Sequence, residues 1–306
     1  MISNFLFHRV SIEKDNLWEP MTPELFEKCI RFISKEYDIH TIEDIIQDKI
    51  QAKRKKLATL SFDDGYKDNI EYGAPILQKY NCRASFYVVT NCINLNKPTW
   101  TYIFDFIFQN AIMSSIDIDL DFLPSELRKS SFSGEKDRLH YASKLKPYLK
   151  KLKHEERNQI LDFLSDRFSE VEIPRIMMNW EDLNQLKNAG HTIGSHSHTH
   201  PMLGSIKNEE ISRYELKTSF DLIKQHIGQE PLTISYPIGS CDEIITRQSR
   251  EIGYKMGLIV DQKVFEKDKM SIFEIPRIEL YNESWFKTKL RITNRLERIK
   301  KMINYK

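Results

Sequence analysis

The feature that most limits how this chain can fold is a repeated alternation of two patterns. Short runs rich in β-branched and aromatic residues recur at Phe5 to Phe7, Leu57 to Phe62, Ser85 to Val89, Thr192 to Ser195, Thr233 to Tyr236, Gly257 to Val260 and Phe273 to Ile278. Helical periodicity fills the stretches between them. Runs that short, joined by helices, build a parallel sheet, because parallel neighbours need a crossover connection and a helix supplies it. The helix boundaries are marked as well. Thr22 before Pro23 is an N-cap and first-turn signal, followed by the apolar stripe Leu25, Phe26, Cys29, Ile30 and Ile33. Asn179 and Asp182 open another helix that Gly190 closes, and Asn208 and Gly228 bracket a third. Connections of this kind are those of an α/β barrel.

Between about Leu95 and Pro174 the strand rhythm stops and charged, helical sequence takes over, including the lysine-rich stretch Lys144 to Lys153. The reading is a helical insertion into a single barrel domain spanning 1–306, with its lysines on a solvated helix face. The basic cluster Lys53 to Lys56 reads as a surface loop. From Ser284 to Lys306, Trp285, Ile292, Leu296, Ile299 and Ile303 fall at helical spacing opposite a row of lysines and arginines. An amphipathic helix is expected there, packing its stripe on the domain, with peripheral contact to an anionic membrane as the alternative.

Composition excludes some partners. A formal net charge of +2 gives no global basic field, so nucleic acid is not expected as a partner. Cys29, Cys82, Cys92 and Cys241 lie far apart and form no Cys-x-x-Cys pair, against both a zinc ribbon and a disulfide framework. No apolar stretch is long enough for a transmembrane segment, and the run within Met1 to Arg9 is too short for a signal peptide. The expected location is cytoplasmic.

Two segments carry chemistry. Leu60-Ser61-Phe62-Asp63-Asp64-Gly65 sets adjacent carboxylates at the end of a buried strand. Neighbouring residues point to opposite sides, so one can bind a metal while the other faces its water; a plain Asp-Gly turn is the alternative. Gly194-Ser195-His196-Ser197-His198-Thr199-His200-Pro201 concentrates three of the nine histidines. Imidazoles at i and i+4 can converge on one ion, and a carboxylate from elsewhere completes a triad with open positions for water. His198, between them, is expected to point away.

Together these segments resemble the first two motifs of the polysaccharide deacetylase family, carbohydrate esterase family 4, written Thr-Phe-Asp-Asp-Gly and His-Ser/Thr-x-x-His. The resemblance implies a distorted (β/α)7 barrel, Asp63 as general base, and a divalent metal on Asp64, His196 and His200. Zinc is the expected ion, with cobalt, nickel or manganese as alternatives, and the implied substrate is an N-acetylated, or O-acetylated, saccharide. Ser235-Tyr236-Pro237-Ile238-Gly239 is similar to the third motif, Arg-x-Pro-x-Gly, whose loop walls the groove and whose second residue, here Tyr236, would donate its N–H to the oxyanion. Ser235 stands where many members have an arginine that holds the catalytic Asp. Arg277 could supply that guanidinium, or could make a surface salt bridge.

The family's usual acid, a histidine in a C-terminal Leu-x-His, has no counterpart, since the last histidine is His226. His8, in Phe5-Leu6-Phe7-His8-Arg9-Val10, resembles the acid of permuted members in which it comes from the N-terminus. Independently of the family, His8, Asp63, Asp64, His196, Tyr236 and Arg277 all fall at the C-terminal ends of expected strands, the face where α/β barrels collect catalytic groups. Trp180 and Trp100 could stack on a sugar or simply pack, and His191 and His226 read as structural. Two other functions fit the same residues: hydrolysis of a small ureide or amide, and a silent carbohydrate-binding relative.

Overall fold

A computed structural model describes residues 1–47 and 56–297. The strands are β1 (Ile2–Phe7), β2 (Tyr37–His40), β3 (Lys56–Phe62), β4 (Ser85–Val88), β5 (Ser115–Asp117), β6 (Lys129–Ser131), β7 (Thr192–Ser195), β8 (Thr233–Ser235), β9 (Met256–Leu258) and β10 (Ile278–Glu279). The helices used below are α1 (Pro23–Glu36), α2 (Ile42–Ile46), α3 (Ala74–Lys79), α4 (Thr90–Leu95), α5 (Trp100–Asn110), α6 (Ser125–Arg128), α7 (Glu135–Leu149), α8 (His154–Arg167), α9 (Trp180–Asn188), α10 (Glu209–Ile227), α11 (Glu243–Ile252) and α12 (Trp285–Ile292).

All strands but β5 and β6 join one parallel sheet in the order β10-β1-β3-β4-β7-β8-β9, with β2 added along the first half of β3. The sheet curls. Ile275 bridges to Leu258 beside β9, while Ile278 pairs with Phe5 of β1, so one short strip touches both ends. The result is the distorted (β/α)7 barrel, its strands buried on both faces as continuous apolar runs require. Thr22, Asn179 and Asn208 cap α1, α9 and α10 with their side chains, and Gly228 ends α10 in the left-handed conformation.

Three expectations need correction. The run Phe273 to Ile278 is not one strand: regular pairing begins only at Ile278, because Pro276 offers no N–H to a ladder. Arg277 therefore precedes β10 and does not end a strand. The expected C-terminal helix is interrupted: α12 ends at Ile292, Asn294 turns the chain with φ 54°, and helical residues resume at Leu296. α12 does pack its stripe, with Trp285 edge-on to Phe32 of α1, and Arg291 of its basic row is buried in an ion pair with Glu283. The stretch 298–306 and the basic residues 53–55 lie outside the described residues. Thirdly, the insertion is not purely helical: β5 and β6 form an antiparallel pair between α5 and α7. Its own apolar core includes Phe104, Phe108, Leu145 and Ile160. Among the described residues no helix is long and apolar enough to cross a membrane.

Candidate active site

The C-terminal ends of β3 and β7 lie on opposite sides of β4, which brings the Asp63-Asp64 and His196-His200 segments together. β7 passes there because Gly194 has no side chain. A Cβ at that position would lie 2.4 Å from the Tyr87 ring, which fills the barrel interior. Beyond the strands the backbone is bent sharply: Asp64, Ser197 and His200 adopt φ of 75°, 65° and 63°. Left-handed geometry in non-glycine residues costs about 1–3 kcal/mol each and persists where the surroundings over-determine it. Here they do. Ser195 Oγ accepts the Ser197 N–H at 3.2 Å, Ser197 Oγ accepts the His200 N–H at 3.1 Å, and the Thr90 and Asn91 N–H groups donate to the carbonyls of Ser197 and His198.

A buried glutamate completes the clamp. Glu215 of α10 accepts from the N–H groups of His198 and Thr199 at 3.0 and 2.8 Å and from the Thr199 hydroxyl. Burial raises its pKa against these hydrogen bonds. The sequence held a signal for it, a glutamate on the core-facing stripe with Leu216, Ser219 and Phe220.

Asp64, His196 and His200 offer ligand atoms within 4.8 Å of one another, all buried. Asp64 Oδ1 lies 3.4 Å from His196 Nε2 and 3.3 Å from His200 Nε2, and has no hydrogen-bond partner. His196 donates from Nδ1 to the Ser235 carbonyl at 2.6 Å, which leaves the Nε2 lone pair for an ion. Burial works against charge on His196, yet Asp63 and Asp64 outweigh it and raise its pKa. Burial likewise pushes Asp64 up, but its contacts to His196 and His200 hold it well below the carboxylate range. His200 is lowered, chiefly by burial. An orphaned carboxylate oxygen between two imidazoles is a cluster short of positive charge, and a divalent cation fits it. His198 bonds Thr90 through Nδ1 and points elsewhere.

Asp63 is held differently. Arg277 reaches its two oxygens with Nη1 and Nη2, both at 2.7 Å, and Ser235 Oγ adds a third contact at 2.9 Å. The guanidinium is fully buried, rising inside the barrel past Ser61 and the Tyr87 ring. Burial pushes the Asp63 carboxyl up; the charges of Arg277 and His196 outweigh it and leave it lowered. Arg277 thus holds Asp63 directly, and Ser235 bridges the two, donating to Asp63 and accepting from Arg277.

His8, Asp63, Asp64, His196 and His200 line one cavity of about 650 Å³, solvent included. His8 Nδ1 lies 3.4 Å from Glu279 Oε1, and its ring meets Trp18 edge-on at 5.1 Å. The sequence pointed to neither Glu279 nor Trp18. Two other expectations fail. Tyr236 does not present a free N–H, because that group donates to the Leu258 carbonyl at 3.0 Å in the β8–β9 ladder, and its side chain is buried in the core beside Gly257. Within that turn, Pro237 is buried and the residue at the cavity wall is Ile238, with φ 58°. Trp180 is not on the cavity. It stacks on His226 at 4.3 Å and donates to Asn94. Trp100 also packs, under Arg157, but its Nε1 donates to the His200 carbonyl at 3.1 Å and so ties the insertion to the metal-type cluster. The lysines at 146 and 150 border the cavity too, Lys150 exposed as a solvated helix face requires and Lys146 half-buried.

A parallel α/β barrel with an Asp-His-His cluster and an Arg-held aspartate at the strand ends has the layout of a hydrolase. The chain belongs to the polysaccharide deacetylase family, whose model matches residues 50–134 and 142–257. Three solved structures show the same fold. The Streptococcus pyogenes deacetylase PplD, in complex with acetate, is 15% identical with a TM-score of 0.61, covering 92% of this chain and 93% of its own. A de-N-acetylase from Aggregatibacter actinomycetemcomitans is 16% identical with a TM-score of 0.61, covering 95% and 99%. IcaB from Ammonifex degensii is 13% identical with a TM-score of 0.60, covering 95% and 96%. None of the curated proteins matches the sequence.

Proposed function

We propose that the protein is a metal-dependent deacetylase that releases acetate from an N-acetylated saccharide. The observation that carries this reading is the pairing of an ion-ready Asp64-His196-His200 cluster with a second, Arg277-held carboxylate in the same cavity. Asp64, His196 and His200 would hold the ion, and two imidazoles with one carboxylate suit zinc best, then cobalt, nickel or manganese. Such a cation supplies Lewis acidity, polarising a carbonyl and bringing the pKa of water from about 15.7 toward about 7.

Asp63 takes the proton of the attacking water. Its two bonds from Arg277 aim it and keep it ionised, so it acts as a base at neutral pH. We assign the backbone donor for the developing oxyanion to Ile238, the residue of its turn that meets the cavity. His8, oriented by Glu279 and Trp18, returns a proton to the departing amine. Acetate and a free amine result; an O-acetyl group would be cleaved by the same residues.

Acetate release from a panel of acetylated saccharides, with zinc or cobalt restored, tests the reading. Turnover of a small ureide in place of any saccharide would move the substrate class. Saccharide binding without acetate release would make the chain a silent relative.

A further inference from the structure

Two lysines of the insertion line the cavity beside Asp63 and Asp64. Lys146 of the insertion helix α7 is paired with Asp105 of α5. The other, Lys150, follows Lys146 by one helical turn, borders the same cavity, and its ammonium has no hydrogen-bond or ion-pair partner among the described residues. Like charges at i and i+4 on a helix repel, and an anionic group held by Lys150 would relieve that repulsion. Lys150 is exposed at the rim of the cavity; the surrounding protein and the charge of Lys146 lower its pKa, while Glu279, Asp105 and Asp64 act against that. Glu279 and Asp105 are already engaged, Glu279 with His8 and Tyr281 and Asp105 with Lys146, and Asp64 lies in the ion-ready cluster. A divalent cation on Asp64 would make the cavity more positive still.

We infer that Lys150, with Lys146 beside it, is a recognition site for an anionic oxygen group on the substrate, a carboxylate or a phosphate carried near the acetylated sugar. The inference rests on the deacetylase reading above and deepens it: the preferred substrate is an acidic acetylated saccharide rather than a neutral one. Geometry favours a substituent contact over a structural role. Lys150 stands just past the end of α7, outside the apolar core of the insertion, and α7 is anchored without it, by Lys146 on Asp105 and by Tyr141, Leu145 and Leu149 in that core.

The zinc-loaded full chain is assayed for acetate release on N-acetylchitotetraose, on the same tetrasaccharide carrying a 6-phosphate, and on a hyaluronan tetrasaccharide carrying glucuronate carboxylates. The readout is the ratio of kcat/KM on each acidic substrate to that on the neutral one. At least one ratio should exceed about tenfold at low salt, the size of one charge-assisted contact, and fall steeply in 0.5 M salt. Which arm rises identifies phosphate or carboxylate. Lys150→Gln should bring that ratio toward one and Lys150→Arg should keep it, a pattern that misfolding would not produce. Ratios near one in the wild type, or a raised ratio unchanged by Lys150→Gln, would overturn the inference. Should no substrate release acetate, the deacetylase reading fails by itself. The anion site is then decided by calorimetric binding of the phosphorylated tetrasaccharide, where equal affinity of wild type and Lys150→Gln overturns it.

Discussion

Arg277 grips Asp63 through two parallel hydrogen bonds of 2.7 Å, across 214 residues of sequence and wholly inside the barrel. A bidentate guanidinium–carboxylate pair fixes both the direction of the carboxylate and its ionised state, which Lys could not do with a single point of charge. Because both groups are buried, each compensates the other's charge. Removing one leaves the other desolvated and unpaired, at a typical cost of about 3–5 kcal/mol.

That coupling separates stability from catalysis. Asp63→Asn should keep the metal and lose turnover by about 10²–10⁴-fold, as expected when a general base is removed. It should also lower the denaturation midpoint, because Arg277 is left without its partner. Adding Arg277→Met should recover much of the stability and none of the activity. Denaturant titrations and acetate assays on the two single variants and the double variant measure the cycle; additive stability losses would mean the pair is not coupled.

The metal prediction is simpler. His200→Ala removes one of three ligand atoms and should lose bound zinc and activity together, read by elemental analysis after dialysis. Full occupancy in that variant would take His200 out of the ligand set.

Glu215 touches no proposed ligand side chain, yet it holds the loop between His196 and His200 by three hydrogen bonds. Groups that orient metal ligands typically contribute about 10–100-fold in affinity, so Glu215→Ala should weaken zinc binding by that factor. Competition against a chelator measures it. A zinc affinity equal to wild type would limit Glu215 to packing.

How far the sequence carried this reading depended on what kind of contact was at stake. The strands were legible because a parallel sheet buried on both faces reads as unbroken apolar runs, and the helix ends because caps are local. Asp63, Asp64, His196 and His200 lay in two dense segments, and topology had only to bring them together. Arg277 stayed ambiguous since nothing local distinguishes a buried arginine from a surface one. Tyr236 misled for a different reason: whether an N–H is free depends on where its strand stops pairing, and β8 keeps its bond to Leu258 one residue longer than the motif implied. Trp180 and the insertion lysines depended on tertiary packing: Trp180 stacks on His226 away from the cavity, while α7 carries Lys146 and Lys150 to its wall, and no period in the sequence announces either.

His191 makes stability pH-dependent. Its Nδ1 accepts the Ala84 N–H at 3.2 Å, a bond that a protonated ring cannot accept. Burial, with Arg83 adding to it, lowers its pKa to about 4. The unfolded chain, with a histidine near its usual value of about 6.5, binds the proton first, so this contribution is fully present above that pH. It is lost as pH falls toward the folded value, to a ceiling of about 3 kcal/mol. Urea midpoints at pH 7.5 and 5 should therefore drop more in the wild type than in His191→Asn, which keeps an acceptor and cannot titrate. Parallel drops would assign the acid sensitivity to the carboxylates common to both.

His8 is the residue on which the proposed protonation of the leaving group depends. It arrives at the cavity from the end of β1, and its neighbours define its orientation: Glu279 at 3.4 Å on Nδ1 and the Trp18 edge against the ring. With Nδ1 turned to a carboxylate, Nε2 is the nitrogen available to a leaving amine. General acid catalysis is worth about 10²–10⁴-fold, so His8→Ala should lower saccharide turnover by that order and keep its zinc. An activated aryl acetate leaves without protonation, and on it the same variant should lose far less. Glu279→Gln should reproduce the pattern in weaker form, because it loosens the ring and keeps the imidazole. Equal losses on the two substrates in His8→Ala would remove His8 from the acid role and assign it to binding or to the packing of Trp18.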